Sequence, residues 1–302
     1  MERPYILHMF TPGKQMSPFD VNMAADAGYQ IVVPYADVGL DAVTAMTQDA
    51  IFSRGPKGVA LTGIFIGGRD AMLAADMLER CDKAMVPPFV VSRMADPSGA
   101  YTTAAAMVAC VEATLVRQFG SGLQGRRVVV LGGGGPVGRI AGVLAAQAGA
   151  EVRLSSRSGQ QAAELAATAT GTRFGVTLHG ASGNDRDAVR QSVAEVDVVL
   201  GCAAAGVQVL SADDLGYAKQ LKVVGDVNAV PPEGIAGVGV MDNGKAIAGT
   251  AAFGIGALAI GNVKYQTQHR LLVRMTQSAK AQSLSFPEAY AVARDFIAES
   301  AG

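Results

Sequence analysis

Along the chain, short uninterrupted apolar runs alternate with longer stretches in which apolar positions return every third or fourth residue. The first pattern suits a strand buried on both faces, the second a helix with one face buried. Tyr5 to Phe10 reads as a strand, and Ser17-Pro18-Phe19-Asp20 opens a helix with Ser at the cap and Pro at its first position. Gly28 closes that helix and Ile31 to Val33 is the next strand. Leu40 to Gln48 (helix), Gly63 to Ile66 (strand), Ala71 to Ala84 (helix) and Phe89 to Met94 (strand) continue the alternation. Regular alternation predicts a parallel sheet covered on both faces. Asp96-Pro97 then opens a helix to about Gln118, with Met107, Val111 and Leu115 on one face, and Gly120-Ser121-Gly122 marks a boundary.

Beyond the boundary, strands are expected at Val128 to Leu131, Glu151 to Leu154, Gly175 to Leu178, Asp197 to Leu200 and Leu221 to Val224. The stretch from about Asn262 to Ala298 reads as helical. The pattern predicts an α/β fold of two domains, residues 1–121 and 122–262, with a C-terminal helical segment, 263–302, that returns to the first. At 302 residues the chain exceeds what one compact core usually holds.

The most specific local pattern joins the first two strands of the second domain. Val128-Val129-Val130-Leu131 runs into Gly132-Gly133-Gly134-Gly135-Pro136-Val137-Gly138, followed by a helical stripe of Val137, Ile140, Ala141, Leu144 and Ala148 with Gly149 as its stop. Gly133, Gly135 and Gly138 fit the G-x-G-x-x-G spacing, in which backbone N–H groups and a helix N-terminus hold a pyrophosphate. A glycine turn without a ligand is the plainer alternative. The strand, turn, helix, strand context favours dinucleotide binding. After the second strand stand Ser155-Ser156-Arg157-Ser158, with no carboxylate to hold a free ribose 2′-hydroxyl and an Arg able to pair a 2′-phosphate, so NADP is expected, with NAD as the alternative. Ala203 and Ala204, in a turn of small side chains after Leu200, suit a nucleotide lying over the strand ends.

Half of the residues are hydrophobic and 17% charged, with a formal net charge of −1. No block of like charge offers a footprint for nucleic acid or an anionic membrane. Cys81, Cys110 and Cys202 are scattered, and His8, His179 and His269 lack ligand spacing, so neither a disulfide framework nor a metal site is expected. Met1-Glu2-Arg3-Pro4 leads into only a short apolar strand, and the longest apolar run, Ala251 to Gly261, is too short to span a bilayer. The reading is a cytoplasmic protein without membrane or nucleic-acid partners.

Several further stretches carry a resemblance. They are Met16-Ser17-Pro18-Phe19-Asp20-Val21-Asn22-Met23, Thr62 to Gly68, Asp96-Pro97-Ser98-Gly99 with Thr102-Thr103, Asp226 to Pro232, and Gly254-Ile255-Gly256-Ala257-Leu258 through Lys264 to Gln268. Over nearly its whole length the chain resembles the bacterial NAD(P)-dependent methylene-tetrahydromethanopterin dehydrogenases and their methylene-tetrahydrofolate relatives. The resemblance implies a pterin domain, a Rossmann-type cofactor domain, a tetrahydropterin one-carbon carrier as substrate, and a homo-oligomer, trimer or hexamer. Its matching positions imply that Asp20, Lys264, Thr102 and Thr103 face the pterin, with Phe19 and Gln268 beside them. Asp226, Asn228, Gly254 and Gly256 join Gly133 to Gly138, Ser155 to Arg157, Ala203 and Ala204 on the cofactor side.

The implied reaction, hydride removal from a methylene bridge between two nitrogens, leaves a delocalised methenyl cation and releases no proton. It needs orientation and a fixed negative or dipolar group instead of a general base. Asp20 suits that role, though an Asp in the first turn of a helix also satisfies the helix dipole. Lys264 suits a hydrogen bond to a pterin carbonyl or an ion pair. Asp226 and Asn228 suit a ligand or a rigid turn. A hydroxy- or amino-acid dehydrogenase would need an acid–base His or a Lys–Asp pair, and a nucleotide sensor would bind NADP without turnover.

Overall fold

The structure, a computed structural model, describes residues 3–301. It divides into two compact units, each α/β. One runs to Thr102 and takes in Tyr265–Val292; the other holds Thr103–Lys264 and the stretch from Ala293. All three boundaries fall inside long helices.

The first unit contains β1 (Ile6–Phe10), α1 (Pro18–Asp26), β2 (Ile31–Tyr35), α2 (Val43–Phe52), α3 (Gly55–Val59), β3 (Thr62–Ile66), α4 (Ala71–Ala84) and β4 (Ser92–Ala95). A 3-10 turn at Pro97–Gly99 then enters α5 (Ala100–Phe119). The second unit carries β5 (Arg127–Leu131), α6 (Pro136–Gln147), β6 (Glu151–Ser156), α7 (Gln160–Phe174), β7 (His179–Ser182), α8 (Arg186–Val193), β8 (Val198–Gly201), α9 (Ala212–Leu215), β9 (Val223–Asp226), β10 (Asn243–Ala246) and β11 (Phe253–Ile255). The chain continues through α10 (Ala257–Gln277), β12 (Ser283–Leu284) and α11 (Phe286–Ala301).

The first sheet is wholly parallel, in the order β12-β4-β3-β1-β2. Its centre is the dry pair β1 and β3: Leu7, Met9, Ile64, Phe65 and Ile66 are fully buried, which fits their near-continuous apolar sequence. Strand order reverses between β1 and β3, which opens a crevice at their carboxyl ends. β12 adds a short strand beside β4, and Phe286 at the start of α11 stacks edge-on against Tyr101 at 5.3 Å.

The second sheet runs β10-β11-β9-β8-β5-β6-β7, parallel except for the antiparallel β10. Here the reversal lies between β5 and β8. Met107, Val111 and Leu115 are fully buried, as their shared helix face predicted. The first two lie against β9 where Gly225 leaves room, since a Cβ there would stand 3.1 Å from each.

Where sequence and structure differ, local causes are visible. β7 lies at His179–Ser182, because Gly175 is the left-handed residue (φ 69°) that ends α7, and Gly175 to Leu178 is the link between them. The C-terminal stretch is two helices split by β12 and begins earlier than expected, at Ala257. The stretch Pro97–Phe119 is long and apolar enough to cross a membrane by length and composition, a feature hidden in the sequence by its interspersed Thr and Glu. Of its most apolar window, 78% is buried inside the protein, so most of its apolar surface is already covered.

Candidate active site

In the second unit the site grows out of the turn after β5. Gly132 takes φ 80°, and a Cβ there would lie 2.6 Å from the Cys202 carbonyl oxygen. The left-handed residue is thus one position before the expected first glycine. The Gly133 N–H donates to the Ser155 carbonyl at 3.0 Å, and a Cβ on Gly133 would meet Leu154 Cβ at 2.7 Å. Gly138 packs α6 onto the turn, since its Cβ would stand 2.6 Å from the Gly132 carbonyl oxygen. Gly135 is the N-cap and supplies no side chain to the first-turn N–H groups, so these stay available to an anion.

This turn forms one wall of a cavity of about 580 Å³ at the β5/β8 reversal. Of the residues expected from sequence, Gly134, Gly135, Ser155, Ser156, Arg157, Ala203 and Ala204 line it. Gly133, Pro136, Val137 and Gly138 do not; they shape the turn and helix behind the wall. Gly134 is exposed, with nothing within 4 Å of a Cβ built on it. Arg157 is exposed, and among the described residues its guanidinium makes no hydrogen bond or ion pair within the chain. No carboxylate stands at the end of β6.

Sequence reasoning missed Gly132, Gly183, Arg186, Val189 and Gln208 in the same wall. Arg186 starts α8, just after the Asp185 cap, and went unseen because β7 was expected four residues early. It donates to Ser211 Oγ at 2.7 Å and pairs with Asp214 Oδ2 at 3.0 Å. Burial alone would raise the Asp214 carboxyl, but hydrogen bonds from Ser211 and Arg190 and the charge of Arg186 leave it below the ordinary range. Burial, then the Asp226 charge, pushes the Cys202 thiol well above its usual range.

Four expected cofactor residues turn out to hold loops. Asp226 accepts from the Asn228 and Ile235 N–H groups at 3.0 and 3.1 Å, while burial, the largest influence, raises its carboxyl. Asn228 accepts from the Gly206 and Val230 N–H groups and donates to the Pro232 carbonyl. Gly254 and Gly256 are buried where a Cβ would meet Val238 at 3.1 Å and the Gly239 carbonyl oxygen at 2.0 Å. None of these four lines the cavity, because their polar groups and free space are taken up by the chain itself.

The first unit has its own cavity, about 590 Å³, where β1 and β3 diverge. It is walled by the loop Thr11 to Gln15, by Ser17, Pro18 and Asp20 of the α1 entrance, and by Gly68, Arg69, Asp70 and Ser98. Asp20 is 2% exposed and accepts from Gln268 Nε2 at 2.7 Å. Gln268 is fully buried on α10, and Lys264, half-buried, stands one turn earlier on that helix, on the same face. Phe19 is largely exposed at the start of α1. Thr102 lines neither of the two cavities: it is fully buried, and its hydroxyl donates to Asp96 Oδ2 at 2.6 Å. Asp96 Oδ1 accepts the N–H groups of Tyr101 and Thr102, so this pair fastens the start of α5. Thr103 is half-buried. Lys14, Gln15 and Arg69 were missed, although they flank the glycines Gly13 and Gly68 that follow predicted strands. Among the described residues no group of three or more His, Cys, Asp or Glu could hold a metal ion.

Residues 18–98 match the family described as Methylene-tetrahydromethanopterin dehydrogenase, N-terminal. The chain is 46% identical over 288 residues, 95% of its length and 97% of the relative's, to the NAD(P)-dependent methylenetetrahydromethanopterin dehydrogenase of Methylorubrum extorquens. It is 33% identical over 275 residues to the bifunctional protein MdtA of the same organism, covering 91% of this chain and 93% of that one. Among solved structures, quinate dehydrogenase from Corynebacterium glutamicum in complex with NAD covers 98% of this chain and 99% of its own, at 12% identity and a TM-score of 0.50, a likeness of fold alone. The chain belongs to the family of NAD(P)-dependent methylenetetrahydromethanopterin dehydrogenases.

Proposed function

We propose that this protein is an oxidoreductase that transfers a hydride between the methylene carbon of methylenetetrahydromethanopterin and NADP, interconverting methylene and methenyl carriers in one-carbon metabolism. The observation that carries the reading is the 46% identity, over nearly the full length of both chains, to an enzyme named for this reaction. The residues present fit a nicotinamide dinucleotide: Gly132, Gly133 and Gly138 pack the turn too closely for any Cβ, Gly134 and Gly135 bring bare backbone to the cavity wall, and the helix behind has no side-chain cap at its N-terminus. Arg157, exposed and uncommitted beside Ser155 and Ser156, supports NADP over NAD.

When bound, the cofactor supplies the hydride acceptor or donor. In this reading Asp20, fixed by Gln268, presents a carboxylate where positive charge develops on the carrier. Lys264, one turn earlier on α10, orients a pterin oxygen. Phe19 and Thr103 complete the pterin contacts, and Thr102 acts through Asp96 by securing the start of α5. Gly133, Pro136, Val137 and Gly138 set the phosphate turn, and Asp226, Asn228, Gly254 and Gly256 fix the loops after β9 and β11. A cytoplasmic homo-oligomer, trimer or hexamer, is part of the proposal.

The test is an absorbance assay at the reduced-nicotinamide band, with formaldehyde-loaded tetrahydromethanopterin and tetrahydrofolate side by side, each with NAD and NADP. The expected result is the highest kcat/KM with tetrahydromethanopterin and NADP. Cofactor binding with no turnover on either carrier would refute the proposal.

A further inference from the structure

The cavity of the first unit contains two cations that the reaction above does not use. Lys14, in the loop after β1, and Arg69, in the loop after β3, both line it. Among the described residues neither makes a hydrogen bond or ion pair within the chain. The two carboxylates in the same wall are already engaged: Asp20 receives Gln268 Nε2 at 2.7 Å, and Asp70 Oδ1 receives the Met72 and Leu73 N–H groups at the start of α4. Neither carboxylate is ion-paired to Lys14 or Arg69, which leaves both cations facing the cavity without a salt-bridge partner among the described residues. The wall is graded as well, with Asp20 buried and Lys14 and Arg69 exposed, so one end of the cavity is deep and the other open. Hydroxyls of Thr11, Ser17 and Ser98 border it, that of Ser98 donating to the Gly68 carbonyl at 2.7 Å. Ser98 has φ 50°, a left-handed conformation uncommon for a non-glycine residue.

We propose that Lys14 and Arg69 form an anion subsite that takes a carboxylate or phosphate on the side chain of the one-carbon carrier, while Asp20 faces the carrier's reacting end. The assignment rests on the proposed function. It explains why a cavity holding a carboxylate opposite a developing cation also carries two cations at its mouth: they bind a different, anionic part of the same molecule. Because they meet a group remote from the chemistry, their contribution belongs to substrate binding and not to the chemical step.

The test is steady-state kinetics of the whole enzyme with the tetrahydromethanopterin carrier and saturating NADP, for wild type, Lys14→Ala, Arg69→Ala and the double variant. Each single substitution is expected to raise the carrier KM about three- to tenfold and the double about thirtyfold, with kcat held within about twofold. Lys14→Arg with Arg69→Lys should restore most of the affinity, and the salt dependence of KM should weaken in the double alanine variant. In wild type, inorganic phosphate and glutarate are added as separate competitors against the carrier, and the stronger one identifies which anion the subsite takes. Failure of both to raise the carrier KM, or an unchanged KM in the double variant of an active enzyme, overturns this assignment alone. A wild type without turnover on any carrier overturns the proposed function and this subsite with it.

Discussion

Replacing Arg157 with alanine isolates the basis of cofactor choice. The side chain is exposed, lines the cavity of the second unit and makes no hydrogen bond or ion pair among the described residues, so its loss should leave folding stability within about 0.5 kcal/mol of wild type. A charge-assisted hydrogen bond contributes about 1.5–3 kcal/mol. Arg157 is solvated before the cofactor arrives, so the lower part of that range applies, about 1.5–2 kcal/mol, or roughly ten- to thirtyfold in affinity. The neighbouring Arg186 cannot take over fully, because it is tied to Asp214 and Ser211. NAD has no 2′-phosphate and should change by no more than about threefold. The measurement is the Kd of NADP and of NAD by calorimetry for both proteins, with Tm as a folding control. Equal weakening of the two cofactors, or none, would refute the argument.

Other perturbations separate shape from chemistry. Gly134→Ala should fold normally, having open space, yet weaken NADP by an order of magnitude or so, whereas Gly138→Ala, with a Cβ 2.6 Å from a backbone oxygen, should cost about 1–3 kcal/mol in urea unfolding. Asp20→Asn keeps an acceptor for Gln268 and should lower kcat roughly a hundredfold while NADP affinity holds; a lowered Tm with unchanged kcat would make Asp20 structural. Burial opposes ionisation of Asp197, but hydrogen bonds from Lys222 and the Arg127 N–H, with the charges of Lys222 and Arg126, leave its carboxyl below the ordinary range. Its stabilisation is present above about pH 4 and lost as pH falls through the folded-state value. Asp197→Asn should therefore be less stable at pH 7 and flatter toward acid in urea melts.

The strand, glycine turn and helix from Val128 to Gln147 were legible because each step is local: apolar run, positive-φ glycine, stripe. Four consecutive glycines blurred the register, so the left-handed Gly132 was passed over. β7 was misplaced because His179-Gly180-Ala181-Ser182 has almost no apolar content, while Gly175 to Leu178 looks more strand-like than the linker it is. Asp226 and Asn228 combine residue types that suit a ligand or a turn equally well, and only their backbone bonds separate the two. Lys14 and Arg69 lie 55 positions apart with no shared periodicity, and the sheet reversal between β1 and β3 is what brings them to one cavity.

The apolar helix α5 sets limits on dissecting this protein. Its Met107, Val111 and Leu115 are dry because flanking elements cover them. A fragment that kept Pro97–Phe119 without those elements would display an apolar rod of membrane-spanning length to water. Such a piece would collect in inclusion bodies, detergent micelles or vesicles, and its behaviour there would say nothing about the native chain. Expression boundaries that separate either unit by cutting near α5 must therefore be judged by solubility first.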